Sequence, residues 1–334
     1  MNRISRIFWF ALLLTVSLPV TMAADRTFVT VCLDGKWGYT DEKGAIVIPL
    51  QYDRAWHFSE NLAPVQKGSK FGYIDTTGNV VIALKFDGVG SFSEGLAPVK
   101  MRSKWGFINT AGKVVIECQY AEAWFFSSGL APVKMGKKWG LVDKRGQVAV
   151  KPVFAYADSF TEGMVRVEQD SLFGFLDQTG ELVVEPQYEG ADNFSDGLAR
   201  VKIDGQWGYI GPFGENIIQP QYDRAGNFSE GLAPVCWFGK WGFIDRSGNM
   251  MIHTQFDEAL PFTEGRAPVR LLNKWGYVDK SGNTVLPAIY DRAWPFCNGV
   301  AKVMVNGYYG LIDRDGRYIL QPVYQDIQLP QRDW

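Results

Sequence analysis

Six residues have the side-chain types that binding chemistry uses. Large amphipathic rings beside cations suit stacking on a sugar ring or anchoring a protein interface. Three tryptophans share one recurring position of the chain, arginines precede two of them, and a fourth tryptophan lies elsewhere. The candidate binding residues are Trp56, Trp124, Trp294, Arg54, Arg292 and Trp237. The competing interpretation is that these rings fill gaps between neighbouring loops, because tryptophan is usually largely buried.

The sequence supports catalytic or metal-binding chemistry less well than it supports binding. His57 and His253 lie far apart at unrelated positions of the chain, so a shared base or metal site is not expected. A row of acidic residues recurs after the loop aromatics, but retaining glycosidases need two carboxyls about 5 Å apart, and regularly spaced single residues do not supply that. We therefore expect no enzyme, no metal and no cofactor. The row comprises Glu60, Glu94, Glu162, Asp196, Glu230 and Glu264.

The elements that must position these residues repeat every 34 residues. An aromatic residue followed by glycine occurs nine times, and such a fixed period indicates a tandem array. We predict that the nine aromatics form a core rib, each ring lying over the bare glycine backbone of the next repeat. The rib comprises Trp37, Phe71, Trp105, Trp139, Phe173, Trp207, Trp241, Trp275 and Tyr309.

Each repeat contains three short apolar runs separated by turn signals, which predicts an all-β fold of three-stranded antiparallel meanders. Pairs such as Asp34-Gly35 favour a primed two-residue hairpin turn. An aspartate such as Asp75, followed three residues later by Gly78, favours a type I turn. We expect the nine units to stack as an open or superhelical β array, because a propeller blade typically has four strands. A closed propeller-like ring is the alternative.

The ends and the charge of the chain predict its location and exclude one class of partner. Residues 1–24 have the three parts of a signal peptide, with cleavage near Ala23 or Ala24. Residues 25–334 then form one repeat array, periplasmic or secreted, without membrane insertion after cleavage. The net charge of −2 lacks the basic face that nucleic acids require.

Four cysteines, Cys32, Cys118, Cys236 and Cys297, leave the disulfide question open, since export permits disulfides. No pair lies one repeat apart. In an open stack, residues several repeats apart are beyond the roughly 7 Å that a disulfide allows between Cα atoms. We favour mostly buried free thiols over a disulfide pair.

The recurring motifs resemble those of the WG (or KWG) repeat family of bacteria. The resemblance rests on the pattern at residues 104–109, KWGFIN, and on the FSEGLAPV segment at residues 92–99. Phe71, Phe173 and Tyr309 replace the tryptophan of the motif, and Arg166, Arg200 and Lys302 replace its proline. The resemblance implies a β-rich tandem array that is often exported. It implies no general activity and no catalytic residues.

These observations lead to an expected function. We expect an exported, non-enzymatic protein-binding or scaffold module of the cell envelope, whose partner is another envelope protein. The alternative is a carbohydrate or peptidoglycan-binding module that uses Trp56, Trp124 and Trp294 against cell-wall glycan.

Overall fold

The computed structural model describes residues 28–329. The predicted signal peptide and its cleavage position lie outside the described residues. Nine four-stranded antiparallel sheets, here called blades, account for the described chain. Between residues 28 and 329, no helix has the length and apolar character needed to cross a bilayer.

The strands follow the repeat closely. Blades 1 to 3 contain β1 (Val29–Leu33), β2 (Lys36–Thr40), β3 (Ile46–Tyr52), β4 (Arg54–Ala55), β5 (Leu62–Lys67), β6 (Lys70–Asp75), β7 (Val80–Phe86), β8 (Gly88–Val89), β9 (Leu96–Met101), β10 (Lys104–Asn109) and β11 (Val114–Tyr120). Blades 4 to 6 contain β12 (Glu122–Ala123), β13 (Leu130–Met135), β14 (Lys138–Asp143), β15 (Val148–Phe154), β16 (Tyr156–Ala157), β17 (Met164–Gln169), β18 (Leu172–Asp177), β19 (Leu182–Tyr188), β20 (Gly190–Ala191), β21 (Ala199–Ile203), β22 (Gln206–Ile210) and β23 (Asn216–Tyr222). Blades 7 to 9 contain β24 (Arg224–Ala225), β25 (Leu232–Trp237), β26 (Lys240–Asp245), β27 (Met250–Phe256), β28 (Glu258–Ala259), β29 (Arg266–Leu271), β30 (Lys274–Asp279), β31 (Thr284–Tyr290), β32 (Arg292–Ala293), β33 (Val300–Val305), β34 (Tyr308–Asp313) and β35 (Tyr318–Tyr324). The final strand is β36 (Asp326–Gln328), which joins blade 1.

The blades close into a nine-bladed propeller, so the open array that we expected is wrong and the closed alternative is correct. β36 pairs antiparallel with β1, with Val31 opposite Ile327. A buried cluster there joins Val29 and Ile327 to Leu311 of blade 9. Every other neighbouring pair of blades shares a cluster of the same kind, so closure adds one more apolar interface and pairs the exposed edge of β1.

The strand count explains the wrong expectation. Each blade has a fourth strand of only two residues, or three in β36, which lies inside the segment that we interpreted as a connection. In blade 2 this first strand is Arg54–Ala55, where Ala55 pairs with Val65. A single residue, Asp53, separates it from the last strand of blade 1. Two residues are too few to show the period of a strand, yet they complete a propeller blade within 34 residues.

The predicted role of the aromatic-glycine pair needs correction. A Cβ on Gly38 would lie 2.6 Å from the Ile48 carbonyl oxygen and 2.8 Å from the Leu50 nitrogen of its own blade. The last strand of the blade bulges there, as the register shift between Trp37 and Tyr39 shows. Glycine is therefore required by the bulge, and not by an indole of the neighbouring repeat.

The predicted rib of nine aromatics is only partly the core. Trp139 and Trp275 are buried, whereas the other seven rings are half-buried and pack at the edge of the inter-blade clusters. The fully buried residue of each blade lies two positions after the aromatic of the aromatic-glycine pair. In blade 1 it is Tyr39, which is inaccessible to solvent and donates a hydrogen bond from its hydroxyl to the Trp56 carbonyl oxygen at 2.7 Å. The equivalent buried residues are Tyr73, Phe107, Leu141, Phe175, Tyr209, Phe243, Tyr277 and Leu311.

The turns have the predicted chemistry. Asp34 and Gly35 both adopt positive φ, as a primed hairpin turn requires. The Oδ1 atom of Asp75 accepts hydrogen bonds from the amides of Thr77 and Asn79 at 2.9 and 3.0 Å. The aspartates at this position are therefore turn residues.

The acidic row also has a structural role. The Glu60 carboxylate accepts a hydrogen bond from the Gly95 amide of the next blade at 3.0 Å. The same contact joins further turns around the ring, including Glu94 to Gly129 and Glu264 to Gly299. Six such carboxylates tie their blade to the next instead of forming a free acidic stripe.

Candidate functional site

The two-residue strands face the axis of the propeller. A cavity of about 580 Å³, here called cavity B, is lined by residues of blades 6, 7, 8 and 9. Four consecutive blades of a ring share one cavity only where they converge. Its lining includes Glu258 and Arg292 of the first strands, whereas the last strands expose apolar residues such as Ile46 to solvent. The first strands and the residues after them therefore form an inner rim.

One position of this rim varies most between blades. The residue that follows the first strand donates its amide to a carbonyl of the second strand, which fixes two side-chain positions opposite each other. The pairs are Trp56 and Pro64, Gly90 and Pro98, Trp124 and Pro132, Asp158 and Arg166, Asp192 and Arg200, Gly226 and Pro234, Leu260 and Pro268, and Trp294 and Lys302. The tryptophan positions and the replaced prolines, which look unrelated in the sequence, are two halves of one site.

Blades 5 and 6 carry a neutralised stretch of the rim, here called the charged arc: Asp158, Arg166, Asp192 and Arg200. Arg166 pairs with Asp158 at 2.8 Å and with Asp192 of the next blade at 3.0 Å. Arg200 also binds Asp192, with its Nε at 2.7 Å, and donates to the Ala225 carbonyl. Each charge faces an opposite charge, which joins blades 5 and 6 and leaves little capacity to bind a charged ligand. The Arg200 contact with Ala225 joins blade 6 to blade 7.

Blade 9 carries the opposite arrangement, here called the aromatic arc: Trp294, Arg292 and Lys302. The Lys302 ammonium lies 4.4 Å from the centroid of Trp294, and the Arg292 guanidinium carbon lies 5.4 Å from it. Lys302 is 17% exposed and its nearest carboxylate, Asp326, is 3.6 Å away. Burial lowers the pKa of Lys302, and the Arg292 charge lowers it further. This arc has more positive than negative charge.

A second, smaller cavity of about 250 Å³, here called cavity A, lies against blades 3 and 4. Trp124 and Trp139 line it and stack almost in parallel, with centroids 6.2 Å apart and planes at 11°. Trp124 keeps 38% of its surface exposed. Trp105 and Glu122 complete the wall.

The structure does not bring the three loop tryptophans into one site. Trp124 lines cavity A, Trp294 lines cavity B, and Trp56 lines neither. Trp56 packs on Phe71 with centroids 5.9 Å apart, and Trp294 packs on Tyr309 at 5.7 Å. Each of the three contacts the aromatic of the aromatic-glycine pair in its own blade.

The candidate arginines occupy the first strands of blades 2 and 9. Arg54 and Arg292 are equivalent in the repeat, and both are exposed. Arg292 lines cavity B, whereas Arg54 contacts neither cavity. The two therefore differ in surroundings and not in position.

Trp237 belongs to a different surface, here called the tip patch: Trp237, Phe238 and Leu272 on the hairpins of blades 7 and 8. Trp237 is 41% exposed and stacks on Phe238 with centroids 5.7 Å apart. Phe238 is 88% and Leu272 is 92% exposed. Phe238 and Leu272 place an apolar residue at the first turn position of their hairpins. This signal is visible in the sequence, but it did not lead us to predict a surface there.

The cysteines and histidines do not form a reactive group. None of the four cysteines is bridged to another, as expected, but only Cys32 and Cys236 are buried, whereas Cys118 and Cys297 are half-buried. Burial raises the pKa of the Cys32, Cys118 and Cys236 thiols. Within the described range, no three metal-ligating side chains come together.

Comparison with known proteins agrees with the repeat count. A family model described as WG containing repeat matches nine consecutive segments, residues 37–71, 71–105, 105–139, 139–172, 173–207, 207–236, 241–275, 275–309 and 309–331. No curated protein sequence matches the chain.

Solved structures share the fold at low sequence identity. The crystal structure of a eukaryotic initiation factor superposes with a TM-score of 0.65 at 10% identity, covering 91% of this chain and 98% of that one. Hsv2p of Kluyveromyces lactis gives a TM-score of 0.40 at 10% identity, covering 72% and 95%. PorZ of Porphyromonas gingivalis, described as a surface component of the type-IX secretion system, gives 0.33 at 10%, covering 87% and 45%. The first likeness concerns the fold alone, and the other two carry no argument.

Proposed function

Since the chain belongs to the family of proteins built from WG repeats, we propose that it is a protein-interaction module without enzymatic activity. Its partner is an envelope protein that docks on the tip patch. The proposal includes export, which the predicted signal peptide at residues 1–24 supports. Fractionation of cells that express the tagged full chain tests the location, and a tag found only in the cytoplasm would contradict it.

The tip patch is the observation that carries the proposal. Phe238 and Leu272 both have φ of 49°, in the left-handed region that bulky residues enter at a cost. The equivalent residues of the other seven hairpins are Asp34, Gly68, Arg102, Gly136, Asp170, Asp204 and Asn306. Apolar side chains that accept this cost and remain almost fully exposed contribute little to folding, and an exposed apolar patch is typical of an interaction surface.

The engagement of the acidic residues supports a non-enzymatic role. Glu60, Glu94, Glu230 and Glu264 are bound to backbone amides of the next blade. A carboxylate held by an amide of the scaffold is poorly placed to act as a general acid or nucleophile.

The double variant F238N/L272N tests the tip patch. We expect it to lose a partner that the wild type captures from envelope extract, and we expect the purified partner to bind it at least tenfold more weakly. Because Asn tolerates the left-handed region, each substitution should also raise the free energy of unfolding by about 0.5 kcal/mol. Binding is measured by biolayer interferometry and stability by urea unfolding.

Phe213 provides the matched control, because it is 84% exposed and lies in the turn between the third and fourth strands of blade 6, away from the tip patch. F213N should bind the partner like the wild type. Equal binding by F238N/L272N and the wild type would remove the tip patch as the interface.

The second candidate function is glycan binding, and cavity A is the observation that favours it. A parallel pair of indoles with one face exposed suits the flat face of a sugar ring. Addition of soluble peptidoglycan fragments should change tryptophan fluorescence in the wild type and change it less in W124L. The same change in both proteins would contradict binding at Trp124.

A further inference from the structure

We propose that cavity B binds a sugar that carries a carboxylate, of which a hexuronic acid is the simplest example. The carboxylate binds Arg292, and the sugar ring packs against the half-buried tryptophans of blades 7 and 9. This site is separate from the tip patch, so it does not depend on the protein partner. It shares only its ligand class with the glycan alternative, which concerns cavity A.

The charges of the lining residues favour an anion. Arg200 is neutralised by Asp192, and Glu258 is neutralised by Arg270 at 3.0 Å. Among the described residues, no carboxylate forms an ion pair with Arg292, which lines the same cavity. A guanidinium is a fixed cation whose planar fork suits a carboxylate. Arg292 is thus the charge of this wall that a ligand can match.

Lys302 adds a second positive charge near Arg292, against the ring of Trp294 that lines the cavity. It is largely buried against Trp294, and its ion pair with Asp326 is long at 3.6 Å. Its charge is therefore incompletely compensated. An anion bound at Arg292 would lower the cost of keeping Lys302 protonated, because the two cations interact.

The uncharged part of the wall fits a sugar better than a wholly apolar acid. Trp241 and Trp294 line the cavity, are only half-buried and offer ring surface for the apolar face of a pyranose, with the buried Trp275 between them in sequence. Asn227 adds a polar side chain to the same wall, although its Oδ1 atom is itself buried. Glu258 binds Arg270 through Oε1, which leaves its second oxygen as an acceptor for hydroxyl groups.

Size and concavity agree with this ligand. Small-molecule sites usually enclose about 300–1,000 Å³, and cavity B has about 580 Å³. Cavity A, at about 250 Å³, is lined by Glu122 and contains no arginine or lysine, so it does not share the preference for an anion.

The repeat supplies an internal control for the arginine. Arg54 and Trp56 have the same spacing as Arg292 and Trp294, but Trp56 faces Pro64 where Trp294 faces Lys302. Arg54 and Trp56 also lie outside cavity B. R54Q therefore removes the same charge from the same strand position without altering the proposed site.

Isothermal titration calorimetry with glucuronate tests the proposal. We expect saturable binding at one site, tighter than that of glucose under the same conditions. R292Q should weaken glucuronate binding at least tenfold, since a charge-assisted hydrogen bond is lost, and R54Q should leave it unchanged. Circular dichroism and urea unfolding show that both variants keep the fold.

Four outcomes would overturn the assignment. Glucose binding as tightly as glucuronate would remove the role of the carboxylate. Equal glucuronate affinity in R292Q and R54Q would remove Arg292 as its partner, and no saturable glucuronate binding would remove the site. Phenylacetate, an aromatic acid without hydroxyl groups, is titrated in the same way. If it binds more tightly than glucuronate, the ligand class of cavity B is an aromatic acid and not a sugar acid. W124L reports on cavity A separately, so its result does not bear on cavity B.

Discussion

The charged arc of blades 5 and 6 and the aromatic arc of blade 9 occupy the same positions of the repeat, but they differ in how closely their charged side chains are paired. In the charged arc, Arg166 stands opposite Asp158 and reaches Asp192 of the next blade. In the aromatic arc, Lys302 occupies the position of Arg166 and stands opposite Trp294, where an acid would complete the pair. Both arcs join neighbouring blades, since Lys302 reaches Asp326 of blade 1, but only the charged arc gives each of its charges a close partner, whereas Arg292 of the aromatic arc stays available to a ligand.

The difference follows from what a half-buried charge requires. A cation removed from water needs a partner, and the charged arc supplies that partner from the protein itself. The aromatic arc supplies ring faces, which compensate a cation only in part, and one carboxylate, Asp326, at the longer distance of 3.6 Å from Lys302. The predictions below test whether the two arcs differ in this way.

The largest effect is expected in the charged arc. R166L should lower the free energy of unfolding by about 2–3 kcal/mol, because it leaves Asp158 without its ion pair and removes one partner of Asp192. Urea unfolding measures the change. Adding D158N to R166L should recover part of the loss, because the orphaned charge is then removed. A loss below about 0.5 kcal/mol in R166L would mean that the arc is only a surface ion-pair network.

An intermediate effect that depends on pH is expected at Lys302. Burial lowers its pKa from an ordinary value of 10.5, so in the interval below 10.5 the unfolded chain binds more protons than the folded one. Stability should therefore rise with pH through that interval. K302M should lack this component of the rise.

The measurement for Lys302 is urea unfolding of the wild type and K302M between pH 8 and 10.5. Burial raises the pKa of several tyrosines above the ordinary value of 10.0, which also makes stability depend on pH at the upper end of this range, so the difference between the two proteins is the relevant quantity. A difference that does not change with pH would show that Lys302 carries no cost of charge burial.

The smallest effect is expected at Arg292. R292Q should change the free energy of unfolding by less than about 0.5 kcal/mol, because the side chain is exposed and has no ion pair within the described chain. R54Q should behave in the same way. A loss of 2 kcal/mol in R292Q alone would mean that Arg292 supports the fold, and would abolish the contrast with Arg166.

Local chemistry was predictable wherever a few neighbouring residues decide it. The turn at Asp75 and the hairpin at Asp34-Gly35 follow from side-chain hydrogen bonding and from positive φ, and both were correctly predicted. The two-residue strand Arg54–Ala55 was not, because no periodicity shows in two residues. The role of Gly38 was assigned to the wrong neighbour, because the bulge beside it depends on the register of a strand ten residues away.

The candidate site was predictable only in part. Trp124 and Trp294 do line cavities, and Arg292 lines cavity B. The pairing of Trp294 with Lys302 was missed, because it joins residues on two strands whose alignment the sequence pattern leaves open. Phe238 and Leu272 were missed although they are apolar where the other hairpins carry a polar residue or glycine, because only the structure shows that both are almost fully exposed.

The sequence by itself determined the unit and its number: nine copies of 34 residues, all β, with turns whose chemistry is local. Only the tertiary structure decided that the copies form a ring, because closure depends on β36 pairing with β1, a contact between residues almost 300 positions apart. It also decided which side chains share a cavity, since convergence on one axis brings together residues from blades that are distant in the chain. Periodicity specifies what each repeat is, whereas the angle between repeats, set by side-chain packing across each interface, specifies what they build.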